Sequence, residues 1–269
     1  MILKNNLILI SAWVIFQSSS FVFAQDQEDY KILREIIQNE FQEEIPLEGG
    51  INIAGVLRRF QSTDKKVAII LEACLDTGAD IDGEIFNQLN QKKIPASFFI
   101  DQGWLQKNSD QLRGYISSGR ILLENHGAFC RPLSITGKGV KNHPGTSSVD
   151  DVFEEVEKNA REIESFSGRL PRFFKSGYGF YDDVSLKIVT VLGYIPIEGD
   201  LKLKAKDVLT DETLNVFLQK VQTGSIIVIP ANRPSPDNAW VPKLLDGLSH
   251  RGFQVVGLDD VIGAEDSLV

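Results

Sequence analysis

Two short stretches of the chain carry side chains of the types that bind divalent metal ions. His126 comes three positions after the apolar run at residues 121–123, and Cys130 lies four positions further on. Earlier in the chain, Leu71-Glu72-Ala73-Cys74 ends another apolar run. Imidazole and thiolate groups are ligands of zinc and related ions, and a nearby carboxylate can act as a general base. These residues indicate a metal-hydrolase site in which some of the usual donors are replaced.

Alternating strands and helices would bring these stretches together. Strands are predicted at residues 67–71, 97–101, 121–124, 172–175, 194–197, 225–229 and 253–258, and helices at 82–92, 104–118, 149–165, 182–192, 211–222 and 239–250. This repetition predicts a parallel α/β architecture, and seven strands favour a closed or nearly closed barrel. An open doubly wound sheet is the alternative. In either fold the chemistry gathers at the carboxyl ends of the strands.

The N-terminus and the charge of the chain restrict its location and partners. Residues 1–24 combine Lys4, an apolar centre and the small-residue site Val22-Phe23-Ala24, which is typical of a signal peptide cleaved near Ala24. We therefore expect a periplasmic or extracellular protein without stable membrane insertion, with an uncleaved anchor as the alternative.

Residues 25–50 indicate an N-terminal helix and linker, followed by the main domain at 51–269. A net charge of −9 argues against nucleic-acid binding.

A series of motifs resembles the NodB-type polysaccharide deacetylases, a family of carbohydrate esterases. In chain order they are Leu71-Glu72-Ala73-Cys74, Ile81-Asp82, Ile94-Pro95-Ala96-Ser97-Phe98-Phe99, Asn125-His126-Gly127, Arg172-Phe173-Phe174-Lys175-Ser176-Gly177, Gly199-Asp200 and Ser225-Ile226-Ile227-Val228-Ile229. The resemblance covers residues 65–260 and implies a distorted (β/α)7-like barrel. It also implies hydrolysis of the N-acetyl amide of peptidoglycan or a chitin-like oligosaccharide, with a divalent metal such as zinc as cofactor.

The resemblance also shows where the metal site departs from the family. The family's base and its aspartate ligand fall on Glu72 and Ala73, and alanine cannot bind a metal. The family's two histidine ligands fall on His126 and Cys130. A subgroup with Asp-Ala-Cys resembles the Ala73-Cys74 pair.

Other side chains could complete the metal site. Asp82 and His143 are candidates beside His126, together with Cys130 as a thiolate. Capping of the following helix is the alternative role of Asp82, because Asp is a favoured N-cap residue.

Three further positions bear on catalysis. Lys175 stands where the family has an arginine that orients the base, and a lysine lacks the guanidinium fork. Asp200 matches the aspartate that holds the family's catalytic histidine. Pro230 stands where the family has that histidine as general acid, and proline has no proton to give. The catalytic candidates are therefore Glu72, Lys175 and Asp200.

The two cysteines have two possible roles. Cys74 and Cys130 both lie in the exported part of the chain and should flank one pocket. An oxidising compartment favours a disulfide between them, and we expect that bridge. Cys130 as a thiolate ligand of a metal is the alternative.

The remaining candidates would bind sugar. Tyr178 and Trp240 could stack on sugar rings, and Asn232 and Arg233 could donate hydrogen bonds. Together these residues predict an exported deacetylase-like protein that acts on or recognises N-acetylated cell-envelope glycan. The alternative is a catalytically inactive descendant that binds glycan or another protein. The substituted metal and acid positions leave open whether the chain is an enzyme.

Overall fold

The computed structural model describes residues 27–203, 210–232 and 240–263. The chain divides into two compact units, with the boundary between Glu44 and Ile45. In the first unit, residues 27–41 form helix α1, within the segment where helically spaced apolar residues predict a helix. None of the helices in the described ranges is long and apolar enough to span a membrane. The predicted signal peptide lies outside the described residues.

The second unit is built on a parallel sheet. Its strands are β2 (Lys66–Ala73), β3 (Ala96–Ile100), β4 (Ile121–Asn125), β5 (Phe173–Phe174), β7 (Ile195–Pro196), β8 (Leu201–Lys202), β9 (Ile226–Pro230) and β10 (Gln254–Val256). The order across the sheet is β7, β5, β4, β3, β2, β9, β8, and β10 pairs with the start of β2. Strands β1 (Gly49–Gly50) and β6 (Tyr181–Asp182) form a separate antiparallel pair. All seven predicted strands are present, and the short strands β1, β6 and β8 were not predicted.

One segment ties the two ends of this sheet together. The Leu57 N–H donates to the Pro196 carbonyl in β7, at 2.9 Å. Further along the same segment, the Phe60 N–H donates to the Gly224 carbonyl just before β9, at 3.0 Å. The sheet is therefore curled into a half-barrel, which confirms the expected distorted (β/α)7-like barrel. The open doubly wound sheet is excluded.

Helices occupy most of the connections between the strands. They are α2 (Gly83–Gln91), α3 (Gln102–Ile116), α4 (Val149–Ser167), α5 (Asp183–Val191), α6 (Asp211–Lys220) and α7 (Trp240–His250). Helix α4 shows why they begin and end where they do. The Ser148 side chain accepts a hydrogen bond from the Asp151 N–H, and Gly168 ends the helix in the left-handed conformation at φ 75°.

The alternation of residues along β2 aims one polar side chain into the half-barrel. Odd-numbered residues from Val67 to Ala73 belong to the apolar core shared with the outer helices. Ala68 and Ile70 belong to a second core, between the strands on the inner side. Because side chains of a strand alternate between faces, Glu72 continues this inner series at the carboxyl end of β2.

Candidate functional site

An ion network of two lysines and two glutamates lies at the carboxyl ends of the strands. Lys175, directly after β5, places its Nζ 2.7 Å from Glu198 Oε2 and 3.4 Å from Glu72 Oε2. The Lys202 ammonium in β8 contacts the other oxygen of Glu72. Lys175 is fully buried, whereas the Lys202 side chain is 48 % exposed and borders the solvent. Two ammonium groups thus face two carboxylates.

This network fixes the charge of Glu72. Burial raises the pKa of Glu72, but the ammonium groups of Lys175 and Lys202 outweigh burial and bring the pKa down to about 2. Burial likewise lowers the pKa of Lys175, and the carboxylates of Glu198 and Glu72 reverse that effect and raise it. The lowered pKa of Glu72 and the raised pKa of Lys175 both keep these two side chains charged at neutral pH. A carboxylate held ionised so strongly is a weak proton acceptor.

His126 lies beside the network with one ring nitrogen bonded. Its backbone N–H donates to the Ile100 carbonyl at 3.0 Å, which fixes the residue after β4 next to the end of β3. Its Nδ1 is 2.7 Å from the Lys175 carbonyl oxygen. Since a carbonyl can only accept, Nδ1 carries the proton and Nε2 presents a lone pair. Burial and the Lys175 charge lower the pKa of His126 to about 3, so the ring is neutral.

Buried amide groups shape the turn that carries His126. The Asn125 side chain donates to the Val156 carbonyl of α4 at 2.8 Å and accepts from the Gly127 N–H at 2.9 Å. Asn159 donates to the same Asn125 oxygen at 2.7 Å. Gly127 has φ 88°, and a Cβ there would lie 2.4 Å from a carboxylate oxygen of Glu155. The Asn125 side chain and the glycine at position 127 are therefore needed for the turn itself.

Glu155 of α4 holds the loop between His126 and Cys130. Its Oε1 accepts from the N–H groups of Phe129 and Arg131, both at 3.0 Å, and its Oε2 accepts from the Arg131 side chain at 2.9 Å. These bonds flank Cys130, whose φ is 56°, a conformation that is unfavourable for a residue with a side chain. The buried glutamate thereby sets the position of Cys130.

Cys74 and Cys130 are joined through their sulfur atoms in this structure, with Cα atoms 6.0 Å apart. This separation is within the usual range for a disulfide. Gly177 lies against the same loop, since a Cβ at that position would be 1.9 Å from the Cys130 carbonyl oxygen. The ends of β2, β4 and β5 thus converge around the cysteine pair.

Asp200 is not in this cluster, which corrects its predicted placement. Its carboxylate accepts from the Ser225 hydroxyl at 2.9 Å and from the Ile226 N–H at 2.8 Å, at the amino end of β9. Glu72 pairs with Pro230 at the opposite end of β9, four residues away. At about 3.3 Å per residue this separation is about 13 Å. Gly199, with φ 87°, separates Glu198, which faces Lys175, from Asp200, which faces the start of β9.

Glu198, the second carboxylate of the ion network, was not predicted from the sequence. It directly follows the predicted strand at residues 194–197, so its place at a strand end was a usable signal. Lys202 was missed as well, because the two-residue strand β8 leaves no periodic pattern in the sequence. Lys175 and Pro230 lie at the carboxyl ends, as expected.

Two other metal candidates have different surroundings. Asp82 occupies the N-cap position of α2, but its side chain makes no capping hydrogen bond, and its N–H donates to the Ala231 carbonyl at 2.9 Å. His143 is exposed and stacks on Tyr178 with ring centroids 4.1 Å apart. The Tyr178 hydroxyl is 2.8 Å from His143 Nδ1. Neither candidate joins the donor group around His126.

The predicted sugar contacts divide into exposed and buried residues. Tyr178 is 39 % exposed, and its backbone has the left-handed conformation, with φ 58°. Trp240 is buried in the core shared by the outer helices, so the prediction that it stacks on sugar is wrong. Asn232 is buried and donates to Cys74 O, Thr77 Oγ1 and Gly78 O, which commits its amide nitrogen to the loop after β2. Arg233 lies outside the described residues.

The residues present do not fit the metal site that the family implies. Among the described residues, the only group of metal-binding side chains with ligand atoms within 4.8 Å of one another is Cys74, His126 and Cys130. With the two sulfur atoms bonded, His126 is the only donor of this group that remains. Ala73 supplies no ligand and packs in the apolar core. A single imidazole cannot hold a divalent ion in place of the usual three protein ligands.

Comparison with solved structures supports the fold assignment. A family 4 carbohydrate esterase from Bacillus anthracis is 20 % identical, with a TM-score of 0.60, over 78 % of this chain and 88 % of that one. A pseudoenzyme of the same family from Bacillus anthracis is 17 % identical, with a TM-score of 0.63, over 79 % and 70 %. The chitin deacetylase of the fungus Colletotrichum lindemuthianum is 17 % identical, with a TM-score of 0.62, over 79 % and 93 %. At these identities the likeness establishes the fold alone.

The sequence itself establishes the family. No curated protein matches the chain. The profile of the family described as "Polysaccharide deacetylase" matches residues 61–197, which is half of the chain and contains β2 to β7 with Glu72, His126 and Lys175. The chain therefore belongs to the polysaccharide deacetylase family.

Proposed function

We propose that this protein is an exported member of the family that recognises N-acetylated cell-envelope glycan without deacetylating it by the family's metal mechanism. The observation that carries the proposal is that an ion network engages the residue at the base position and a sulfur bridge removes a metal donor. Glu72 is engaged by Lys175 and Lys202, and Cys130 is bonded to Cys74.

The ion network weakens the one group that could act as a base. A general base works best when its pKa is near the working pH, and the pKa of Glu72 is about 2. The residue paired with Glu72 on β9 is Pro230, which cannot act as an acid. Loss of one acid–base partner commonly costs 10²–10⁴ in rate. Loss of the metal as well should reduce turnover much further.

Glycan recognition rests on family membership and on exposed aromatic groups near the cleft, the region at the carboxyl ends of the strands that holds the ion network, His126 and the cysteine pair. Among the related structures, one is a chitin deacetylase by its description. Tyr178 follows Gly177, which packs on the Cys130 loop, and Tyr178 presents a half-exposed ring braced by His143. Phe129, next to Cys130, is 62 % exposed. Aromatic faces of this kind stack on the apolar faces of sugar rings.

One observation favours a second candidate, a weakly active deacetylase. Glu72 Oε2 is buried and has no hydrogen-bond partner within the described residues, although it is 3.4 Å from the Lys175 ammonium. An oxygen without a hydrogen-bond partner keeps a lone pair for a proton, and the low pKa of Glu72 would limit such catalysis to a slow rate. This activity would depend on Glu72 as base and on His126 as the remaining ligand.

Calorimetric titration of the mature, oxidised protein with N-acetylglucosamine oligomers tests recognition. We expect measurable binding of the N-acetylated oligomers and much weaker binding of the matching glucosamine oligomers. Tyr178→Ala should weaken binding about 2- to 13-fold, because one aromatic contact contributes about 0.5–1.5 kcal/mol. Leu170→Ala is the matched control, since Leu170 is 49 % exposed but precedes β5 at the amino ends of the strands.

Equal binding of both oligomers, or no binding of either, would contradict glycan recognition. Release of acetate from the same oligomers separates the two candidates. The proposal expects no release above the rate without protein. The second candidate expects slow release that is lost in both Glu72→Gln and His126→Ala.

A further inference from the structure

We propose that reduction of the bond between Cys74 and Cys130 converts this part of the cleft into a zinc site made of Cys74, Cys130 and His126. The site would exist only in the reduced protein. The inference goes beyond the proposed function, because glycan recognition is assigned to the oxidised protein and needs no metal.

The three side chains are zinc-binding types and already lie close together. Their ligand atoms lie within 4.8 Å of one another, and all three residues are buried. Zinc bonds of about 2.3 Å to sulfur and about 2.0 Å to nitrogen place tetrahedral ligand atoms about 3.5–3.8 Å apart. Small side-chain rotations would therefore suffice once the sulfur atoms separate. Two cysteines and one histidine form a known type of zinc site with one open position.

His126 presents the nitrogen that a metal requires. Its Nδ1 is 2.7 Å from the Lys175 carbonyl oxygen, which can only accept a hydrogen bond. The proton is therefore on Nδ1, and Nε2 has its lone pair available. A ligand histidine whose other nitrogen donates to a backbone carbonyl is the usual arrangement in metal sites.

The backbone of each cysteine is held by bonds that do not involve sulfur. On one side, Asn232 donates to the Cys74 carbonyl at 2.9 Å, and Asp101 accepts from the Leu75 N–H at 2.7 Å. On the other side, Glu155 accepts from the N–H groups of Phe129 and Arg131, which flank Cys130. Reduction should leave both thiols facing His126, because none of these contacts depends on the bridge.

The charges of the reduced site are balanced. Two thiolates would neutralise one zinc ion, and the adjacent network of two lysines and two glutamates already pairs its own charges. No carboxylate has to leave its lysine partner for the ion to bind. This distinguishes the proposed site from the aspartate-containing site of the family, for which Ala73 offers no ligand.

The chemistry of the switch is a two-electron reduction. A dithiol reductant breaks the sulfur–sulfur bond, transfers two electrons and two protons to the cysteine sulfurs, and leaves as a disulfide. Zinc binding then releases the two thiol protons, since the thiolate is the ligand. Oxidation by a disulfide-generating partner would expel the ion and restore the bridge.

Metal content in the two redox states tests the inference. The mature protein is prepared oxidised, or reduced anaerobically with a phosphine, which becomes the phosphine oxide and does not compete through thiols. Each form is incubated with Zn²⁺, desalted and analysed by mass spectrometry of the metal. We expect about one equivalent in the reduced protein and less than about 0.1 in the oxidised protein. Co²⁺ in place of Zn²⁺ should show thiolate-to-metal charge transfer and tetrahedral d–d absorption only after reduction.

Variants identify the ligands. Cys74→Ser, Cys130→Ser and His126→Ala should each lower zinc retention of the reduced protein at least about tenfold and change or abolish the cobalt spectrum. His250→Ala is the matched control, because His250 is exposed at the end of α7 and should leave both readouts unchanged. Circular dichroism of each variant shows whether it is folded.

Equal zinc content in both redox states, no zinc after reduction, or full retention in Cys130→Ser would each overturn the inference. If reduction unfolds the protein, zinc should restore the circular dichroism of the wild type but not of His126→Ala, and failure to restore it also overturns the inference. Glycan binding is measured on the oxidised protein, so failure of one proposal is distinguishable from failure of the other.

Discussion

Replacement of Lys175 by methionine would test how much the ion network contributes to the fold. Lys175 is 1 % exposed and is the ammonium shared by Glu72 and Glu198. The methionine side chain is of similar length and fills much of the same space. The substitution therefore removes the charge with little change in packing, and leaves two carboxylates without their buried partner.

Two arguments give the same magnitude. Removing one partner of a buried ion pair typically costs about 3–5 kcal/mol. Independently, the pKa of Glu72 falls from 4.5 to about 2, which corresponds to about 3 kcal/mol at about 1.36 kcal/mol per pH unit. Lys202 supplies part of that effect and remains in the variant. We therefore expect Lys175→Met to lower the free energy of unfolding by about 3 kcal/mol.

Urea unfolding of the oxidised protein at neutral pH measures this loss. Lys202→Met is the matched control, because it removes the other ammonium from Glu72 but its side chain is 48 % exposed. Solvent screens exposed pairs, so the control should lose less than about 1 kcal/mol. Equal losses in the two variants, or a loss below about 1 kcal/mol in Lys175→Met, would refute the view that a buried charge network organises the cleft.

Three further predictions concern pH, packing and processing. The pKa of His126 is about 3, below the ordinary value of 6.5. The free energy of unfolding should therefore decrease as the pH falls from about 6.5 to about 3, because the unfolded state takes up a proton there and the folded state does not. In nuclear magnetic resonance spectra the His126 ring should not titrate above about pH 4. Gly177→Ala should destabilise the protein by about 1–3 kcal/mol in urea unfolding, because its Cβ would meet the Cys130 carbonyl, whereas Gly114→Ala in α3 has open space and should be neutral or stabilising. Mass spectrometry of exported protein should find a chain that begins near Gln25, and an intact Met1 would contradict the predicted signal peptide.

The sequence predicts most of the fold because its signals are local. Strand β2 is an apolar run between Lys66 and Glu72, and α4 begins at Ser148 and ends before Gly168, which are ordinary start and stop signals. The short strands β1, β6 and β8 were not predictable in the same way. Strand β8 has only Leu201 and Lys202, too few residues for any periodicity, and it is defined by pairing with the distant β9.

The site was predicted less completely than the fold, as Glu198 and Asp200 show. Glu72, His126 and Lys175 each sit directly after or at the end of a well-defined strand, and all three meet in the cleft. Asp200 was placed there by resemblance to the family, but it binds the start of β9, and Glu198 faces Lys175 instead. Which carboxylate faces Lys175 depends on the path of the chain between β7 and β8, and family position alone could not reveal it.

The partners of buried side chains were also beyond the sequence. Trp240 could not be distinguished from a surface aromatic, because its burial depends on packing in the core shared by the outer helices. Asn232 is of a residue type that often binds sugars. Only the folded chain shows that its amide instead donates hydrogen bonds to the loop at residues 74–78. Such assignments depend on contacts between residues far apart in the sequence.

The most direct test of the central claim is acetate release by the oxidised, mature protein from N-acetylglucosamine oligomers and peptidoglycan, measured with and without added Zn²⁺ and with a chelator. The ion network around Glu72 and the bond between Cys74 and Cys130 predict no release above background and no effect of metal or chelator. Release at about 1 s⁻¹ or faster, dependent on metal and lost on chelation, would contradict the account.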